Sequence, residues 1–131
     1  MKIPPPVAEL IGFEVVSAGD GHCTMKLEAQ QRHSNPMGTL HGGILCDLAD
    51  GAMGCACVSL LAEGDTFATV ELKINYLRAF WTGMLFAHGK VVDRGKTVGM
   101  TECDIVDDRD RLIARASSTC LALRGEAAEG R

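Results

Sequence analysis

Residues 44–62, Ile-Leu-Cys-Asp-Leu-Ala-Asp-Gly-Ala-Met-Gly-Cys-Ala-Cys-Val-Ser-Leu-Leu-Ala, form an apolar run whose only charges are Asp47 and Asp50. The run is close to the length that spans a bilayer, so that possibility is weighed first. Two aspartates at mid-bilayer cost roughly 5 to 7 kcal/mol, whereas Ile44, Leu45, Leu48, Val58, Leu60 and Leu61 together return only about 2 to 4 kcal/mol. The segment therefore reads as the buried helix of a globular protein, from about residue 41 to 61. Because it is apolar nearly all round, it is expected to be enclosed by a curved sheet.

The flanking sequence supplies such a sheet. Residues 7–11, after a run of prolines, can form a short helix, and residues 12–17 and 22–29 read as strands joined by a turn at Gly19-Asp20-Gly21. In residues 67–76, Ala68, Val70, Leu72, Ile74 and Tyr76 alternate with Thr69, Glu71, Lys73 and Asn75, which predicts a strand with one apolar and one polar face. Three more strands are expected at about 84–92, 97–106 and 112–123, separated by the turn-forming clusters Asp93-Arg94-Gly95-Lys96 and Asp107-Asp108-Arg109-Asp110. Two strands, one long helix and four strands with short connections define an α+β fold, an antiparallel sheet with the helix on one face. One domain is expected over residues 1–124, followed by a flexible tail at 125–131, where the composition shifts to Gly, Ala and Glu. So small a chain leaves much of the sheet uncovered, which predicts a homo-oligomer.

With 47% hydrophobic and 23% charged residues the chain has a globular composition, and its net charge of -4 without any Lys/Arg run argues against nucleic-acid binding. The six cysteines, at 23, 46, 55, 57, 103 and 120, form no C-x-x-C pair and no Cys/His cluster at zinc spacing, so no metal is expected. The opening Met-Lys-Ile-Pro-Pro-Pro-Val-Ala-Glu lacks the apolar core of a secretory signal. The cysteines are accordingly expected to be reduced thiols of a cytoplasmic protein, most of them small core residues.

Chemistry concentrates where loop meets helix, in residues 33–50. His41-Gly42-Gly43 sets two glycines at a helix start, where the first N–H groups lack intrahelical partners and the dipole is positive. Such a terminus can bind an anion or a developing oxyanion; equally, the glycines can serve only to let the loop turn tightly. No nucleotide phosphate-loop pattern follows. Asp50 lies two turns into the helix among apolar and small residues, where desolvation would favour a general base, while a position facing water or a neighbouring subunit is the plainer alternative. Asp47, one turn earlier, is the competitor for that role but reads better as an aspartate favoured by the helix dipole. His41 can serve as an acid, base or ligand but reads rather as a residue that orients the loop through a hydrogen bond, Asn35 as a turn residue before proline and Thr69 as a hydroxyl on the polar strand face. Cys55 and Cys57 have no base nearby in sequence and are weak candidates for nucleophiles.

The string Asn35-Pro36-Met37-Gly38-Thr39-Leu40-His41-Gly42-Gly43, followed after six residues by Asp50, resembles the hotdog-fold acyl-CoA thioesterases of the phenylacetate-degradation (PaaI-like) type. The resemblance combines N-x-x-G-x-x-H-G-G with an acidic residue at fixed spacing and, with the order of elements, extends over nearly the whole chain. It implies a sheet wrapped around a long helix, subunit pairs sharing a continuous sheet, and homotetramers with active sites at subunit interfaces. It further implies Asp50 as the catalytic carboxylate, either general base or nucleophile. Gly42 would provide the N–H that polarises the thioester carbonyl, with His41 and Asn35 shaping the site from the facing subunit and Thr69 orienting water.

The implied substrate is an aryl- or acyl-CoA thioester, with CoA as part of the substrate and no separate cofactor, nucleic acid or membrane as partner. CoA brings phosphates to a net-negative protein, so a local basic group is needed; Arg78, Arg94 and Lys96 are the candidates. A hotdog hydratase or dehydratase is the alternative within the fold, but its D-x-N-x-x-H order is absent. A non-catalytic acyl-CoA sensor and a purely structural oligomer are the alternatives outside catalysis, and Asp50 in so apolar a helix argues against both.

Overall fold

The computed structural model describes residues 4–131. A short helix α1 (Pro6–Ile11) ends at Gly12, whose φ of 101° is left-handed. Strands β1 (Glu14–Gly19) and β2 (His22–Ala29) form a hairpin whose turn residues Asp20 and Gly21 both take positive φ, as a two-residue turn matched to strand twist requires. A 3₁₀ turn (Gln31–His33) and a loop lead into α2 (Gly42–Val58). β3 (Thr66–Tyr76), β4 (Gly83–Arg94), β5 (Val98–Asp107) and β6 (Leu112–Leu123) follow. All pairings are antiparallel, in the order β1-β2-β4-β5-β6-β3. β1 and β3 are thus the two edges of one six-stranded sheet. Residues 125–131 carry one 3₁₀ turn, Gly125–Ala128, that buries no residue.

The apolar run becomes α2, three residues shorter at its end than the pattern suggested. Leu60 N–H donates to the Cys57 carbonyl and Leu61 N–H to the Val58 carbonyl, so the last turn tightens into three-residue bonds. No helix among the described residues is long and apolar enough to cross a membrane. α2 runs antiparallel to β3: Tyr76 meets Gly42, Thr69 meets Asp50, and Phe67 meets Gly54. It also touches β1 at the opposite edge, so the sheet curls around it. Leu45, Leu48, Ala49, Ala52 and Met53 are buried against Met25, Leu27, Leu85, Ala87, Ile105 and Ala116. At the closest approach, a Cβ on Gly89 of β4 would lie 2.5 Å from the Ala52 carbonyl oxygen, so only glycine lets helix and strand pack there.

Two expectations need correction. The sheet does not enclose α2 on every side: Asp47 is exposed, and Ile44, Asp50, Gly51, Cys55 and Val58 are only half-buried in the isolated chain. Six strands curled around one helix leave a slit between their edges, and the two carboxylates lie along it. Nor does β3 keep one apolar and one polar face. Its pairing with β6 shifts register between Thr69 and Glu71, a bulge at Val70 that inverts the alternation. Phe67 and Thr69 face α2 before the bulge, Leu72, Ile74 and Tyr76 after it, and Val70 is left 63% exposed.

Candidate active site

The loop before α2 is built by its own polar side chains. Asn35 Oδ1 accepts from the N–H groups of Met37 and Thr39 at 3.0 and 3.1 Å, and its Nδ2 donates to Thr39 Oγ1 at 2.7 Å. Gly38 takes a φ of 90° to close this turn. His33, buried, accepts from the Gln30 N–H through Nδ1 at 3.0 Å, which makes its Nε2 the donor to the Ile11 carbonyl at 2.8 Å. His41 then caps α2. Its Nδ1 accepts from the Gly43 N–H at 2.8 Å, so neutral His41 carries its proton on Nε2. Ile44 N–H donates to the His41 carbonyl, which leaves the Gly42 N–H as the first-turn donor without an acceptor among the described residues. Gly42 lines a cavity of about 360 Å³ together with Asn35, Thr39, Tyr76, Arg78 and Phe80.

Two turns on, Asp50 stands in the slit between the sheet edges. Thr69 Oγ1 donates to its Oδ1 at 2.9 Å, a contact created by the bulge that turns Thr69 inward. Asp50 Oδ2 has no hydrogen-bond partner among the described residues. The slit is a cavity of about 340 Å³ whose walls are Phe13 and Val15 from the β1 side, Met25 from β2, and Thr66 and Phe67 from β3. α2 forms its floor through Asp47, Asp50, Gly51, Gly54, Cys55 and Val58. The Phe67 ring lies where a Gly54 side chain would be, 2.6 Å from its ideal Cβ, so glycine makes room for the aromatic wall. Desolvation in the slit, and then the charge of Asp50, hold the Asp47 carboxyl above its ordinary range.

The residues singled out from the sequence thus fall into two groups. Asn35, Gly42 and Arg78 share one cavity, with His41 capping the helix beside it, while Asp50 lines the other and Thr69 is hydrogen-bonded to it. Arg94 and Lys96 belong to neither: they sit at the β4–β5 hairpin, and Arg94 Nη1 donates to the Leu60 carbonyl at 2.8 Å, at the far end of α2 from Gly42. All six cysteines are free; Cys55 is half-buried in the slit, and the Cys57 thiol is pushed up by its hydrogen bond to Cys120 and by burial, the opposite of an activated nucleophile. Among the described residues no three His, Cys, Asp or Glu side chains come together to hold a metal. The sequence reading missed Tyr76, seen there only as a strand residue, and the aromatic walls Phe13 and Phe67. Aromatics next to the small residues Gly42, Gly51 and Gly54 were the available signal, but nothing local tells which glycine meets which ring.

The thioesterase superfamily pattern matches residues 37–114. The chain belongs to the thioesterase superfamily. Human acyl-coenzyme A thioesterase 13 is 31% identical over 111 residues, covering 80% of this chain and 76% of the relative. A 1,4-dihydroxy-2-naphthoyl-CoA hydrolase of Listeria monocytogenes is 27% identical over 111 residues, covering 85% and 90%. Among solved structures, a conserved Pseudomonas aeruginosa protein superposes with a TM-score of 0.87 at 33% identity over 91% of this chain and 94% of that one. The PaaI protein of the Escherichia coli phenylacetic acid degradation operon gives 0.86 at 25% over 93% and 87%. The fold is the hotdog fold, and the protein is by family a thioester hydrolase.

Proposed function

We propose that this thioesterase hydrolyses an aryl- or alkyl-acyl CoA thioester to the free acid and CoA, with Asp50 as the catalytic carboxylate. The observation that carries this reading is Asp50 itself: a half-buried carboxylate midway along an apolar helix, one oxygen held by Thr69 and the other unpartnered, at the floor of an apolar cavity. A carboxylate so placed needs a use. Relatives named for acyl-CoA and for an aromatic acyl-CoA agree with the apolar walls of Phe13, Val15, Met25, Val58 and Phe67 as the acyl pocket.

In the reaction, Asp50 takes a proton from water as its oxygen bonds to the thioester carbonyl carbon, and the Gly42 N–H stabilises the charge that develops on the carbonyl oxygen. The carbon–sulfur bond then breaks. The leaving thiol, with a pKa near about 8 to 9, departs as thiolate without a strong acid and without a cofactor. The covalent route, in which Asp50 attacks directly and water hydrolyses the anhydride at its aspartyl carbonyl, is separated by one turnover in ¹⁸O-water: label enters the product acid in the first case and Asp50 in the second.

The site is proposed to assemble from two copies. Gly42 and Asp50 are eight residues apart on one helix, about 12 Å along its axis, and they open into different cavities. One protomer's Gly42 N–H is therefore badly placed for a carbonyl attacked at its own Asp50, whereas Gly42, His41 and Asn35 of a facing copy can complete it. The long edge strand β3 and exposed Trp81, Leu77 and Val70 beside it supply surface for a homodimer, and pairing of dimers gives a homotetramer. Light scattering at micromolar concentration is expected to show an oligomer; a monomer overturns the shared site. Arg78, beside Gly42, and Arg94 with Lys96 are proposed to meet the CoA phosphates. Charge reversal at Arg94 and Lys96 without a change in KM removes that pair.

The decisive experiment is a free-thiol assay of the protein and of Asp50→Asn against a panel of aryl- and alkyl-CoA thioesters. Hydrolysis by the parent and its loss in the variant are expected. No hydrolysis by either, with CoA thioesters still bound, makes the protein a binding member of its family.

A further inference from the structure

Tyr76 closes β3 at the point where α2 begins. Its hydroxyl donates to the Gly42 carbonyl at 3.0 Å and lies 3.3 Å from Cys46 Sγ. A phenol has one proton, and it is used on Gly42, so the Cys46 thiol is the donor in the second contact. A phenol keeps its proton, and so stays a donor, throughout the neutral range. The ring also lies against the Gly42 α-carbon: a Cβ there would be 2.7 Å from both Cζ and Oη, and 3.0 Å from Cε1.

These contacts fall on the weakest part of α2. A first turn has N–H groups without intrahelical partners and frays readily, and in this one Gly42, Gly43 and Ile44 are only half-buried. His41 caps it from the loop, and Tyr76 holds it from the sheet. Tyr76 also borders the cavity that Gly42 lines, so a change in its position moves the wall of that cavity and the peptide together.

We propose that Tyr76 is a positioning residue: it pins the first turn of α2 to the end of β3 so that the Gly42 N–H is held in place, and position 42 lacks a side chain because the Tyr76 ring occupies that space. The aim of the N–H at a thioester carbonyl rests on the thioesterase reading above; the pinning does not. Sequence reasoning gave Gly42 two reasons to be glycine, a tight turn and an open anion site. The Tyr76 ring is a third, and it alone makes the effects of residues 42 and 76 depend on each other.

The test is a double-mutant cycle with thiol-release kinetics, joined to amide hydrogen exchange over residues 42–46. Tyr76→Phe keeps the ring and loses the hydroxyl, and is expected to lower kcat about three- to tenfold, the loss of one hydrogen bond, with KM within about twofold of the parent. Gly42→Ala is expected to lower kcat through collision with the ring. Gly42→Ala combined with Tyr76→Ala is then no slower than Tyr76→Ala alone. An unchanged kcat in Tyr76→Phe, or losses that simply multiply in the double variant, overturns the proposal. If the parent hydrolyses no CoA thioester, the thioesterase reading fails by itself and exchange decides the pinning. Faster exchange of residues 42–46 in Tyr76→Phe, with the rest of α2 unchanged, upholds it; unchanged exchange overturns it.

Discussion

The two faces of α2 have the same helical backbone and nearly the same apolar vocabulary, yet different surroundings. Toward the sheet, Leu45, Leu48, Ala49, Ala52, Met53 and Ala56 are buried and interlock with the strands, to the point that Gly89 must lack a side chain. Toward the slit, Asp47, Asp50, Gly51, Cys55 and Val58 remain partly open and border a cavity. Burial on the first face stabilises the fold, and incomplete burial on the second lets a carboxylate meet both water and an apolar group. The hotdog arrangement produces both because a sheet curled about one helix covers most of it and leaves a gap where its edges fail to meet.

That division can be broken at named residues. The largest effect is expected from Asp50→Asn, which should lower turnover by about 10²- to 10⁴-fold, as loss of a general base does, with thermal unfolding nearly unchanged. Leu48→Ala, the residue after Asp47 but on the sheet side, is the mirror case. It should cost about 2 to 5 kcal/mol of stability through the cavity it leaves, read by urea unfolding, with kcat of the folded protein close to the parent's. Should either variant show the other's phenotype, the faces are not separable. Thr69→Val keeps the side-chain shape and removes the donor to Asp50. It is expected to lower kcat about tenfold or more, the range for a hydrogen bond to a charged group, again without loss of fold.

The smallest effect sharpens the comparison through pH. Desolvation and the Asp50 charge raise the Asp47 carboxyl in the folded protein, so the folded state binds that proton more tightly than the unfolded chain does. Asp47 therefore contributes stability below the unfolded value of 3.8 that is lost as pH rises through the folded value. Asp47→Asn removes the loss: at neutral pH the variant should be more stable by about a few tenths of a kcal/mol, discounted for solvent screening, and the advantage should vanish below pH 3.8. An advantage that persists in acid would show that its origin is not the charge.

Much of the fold was legible because periodicity reports burial. The apolar run announced α2, Asp20-Gly21 announced the β1–β2 hairpin, and the polar clusters before residues 98 and 112 marked the later turns. The N-x-x-G-x-x-H-G-G string likewise marked the loop and helix start, where Asn35 and His41 act through short-range bonds that sequence neighbours can make. The β3 bulge was not legible. Strict alternation from Ala68 to Tyr76 is what an unbroken strand looks like, and no glycine or proline betrays the extra residue at Val70. One inserted residue reverses every side chain beyond it, and so Thr69, assigned to the polar face, became the partner of Asp50.

By itself the sequence determined a central helix flanked by an antiparallel sheet, the capped glycine terminus and a carboxylate eight residues on, because each follows from residues close in the chain. Only the tertiary structure decided which face of α2 stays open, that Thr69 rather than Glu71 meets Asp50, that the Tyr76 ring takes the space beside Gly42, and that Gly42 and Asp50 open into separate cavities. Those outcomes depend on sheet curl and strand register, which are set by contacts among residues far apart in sequence, and local pattern carries no record of them.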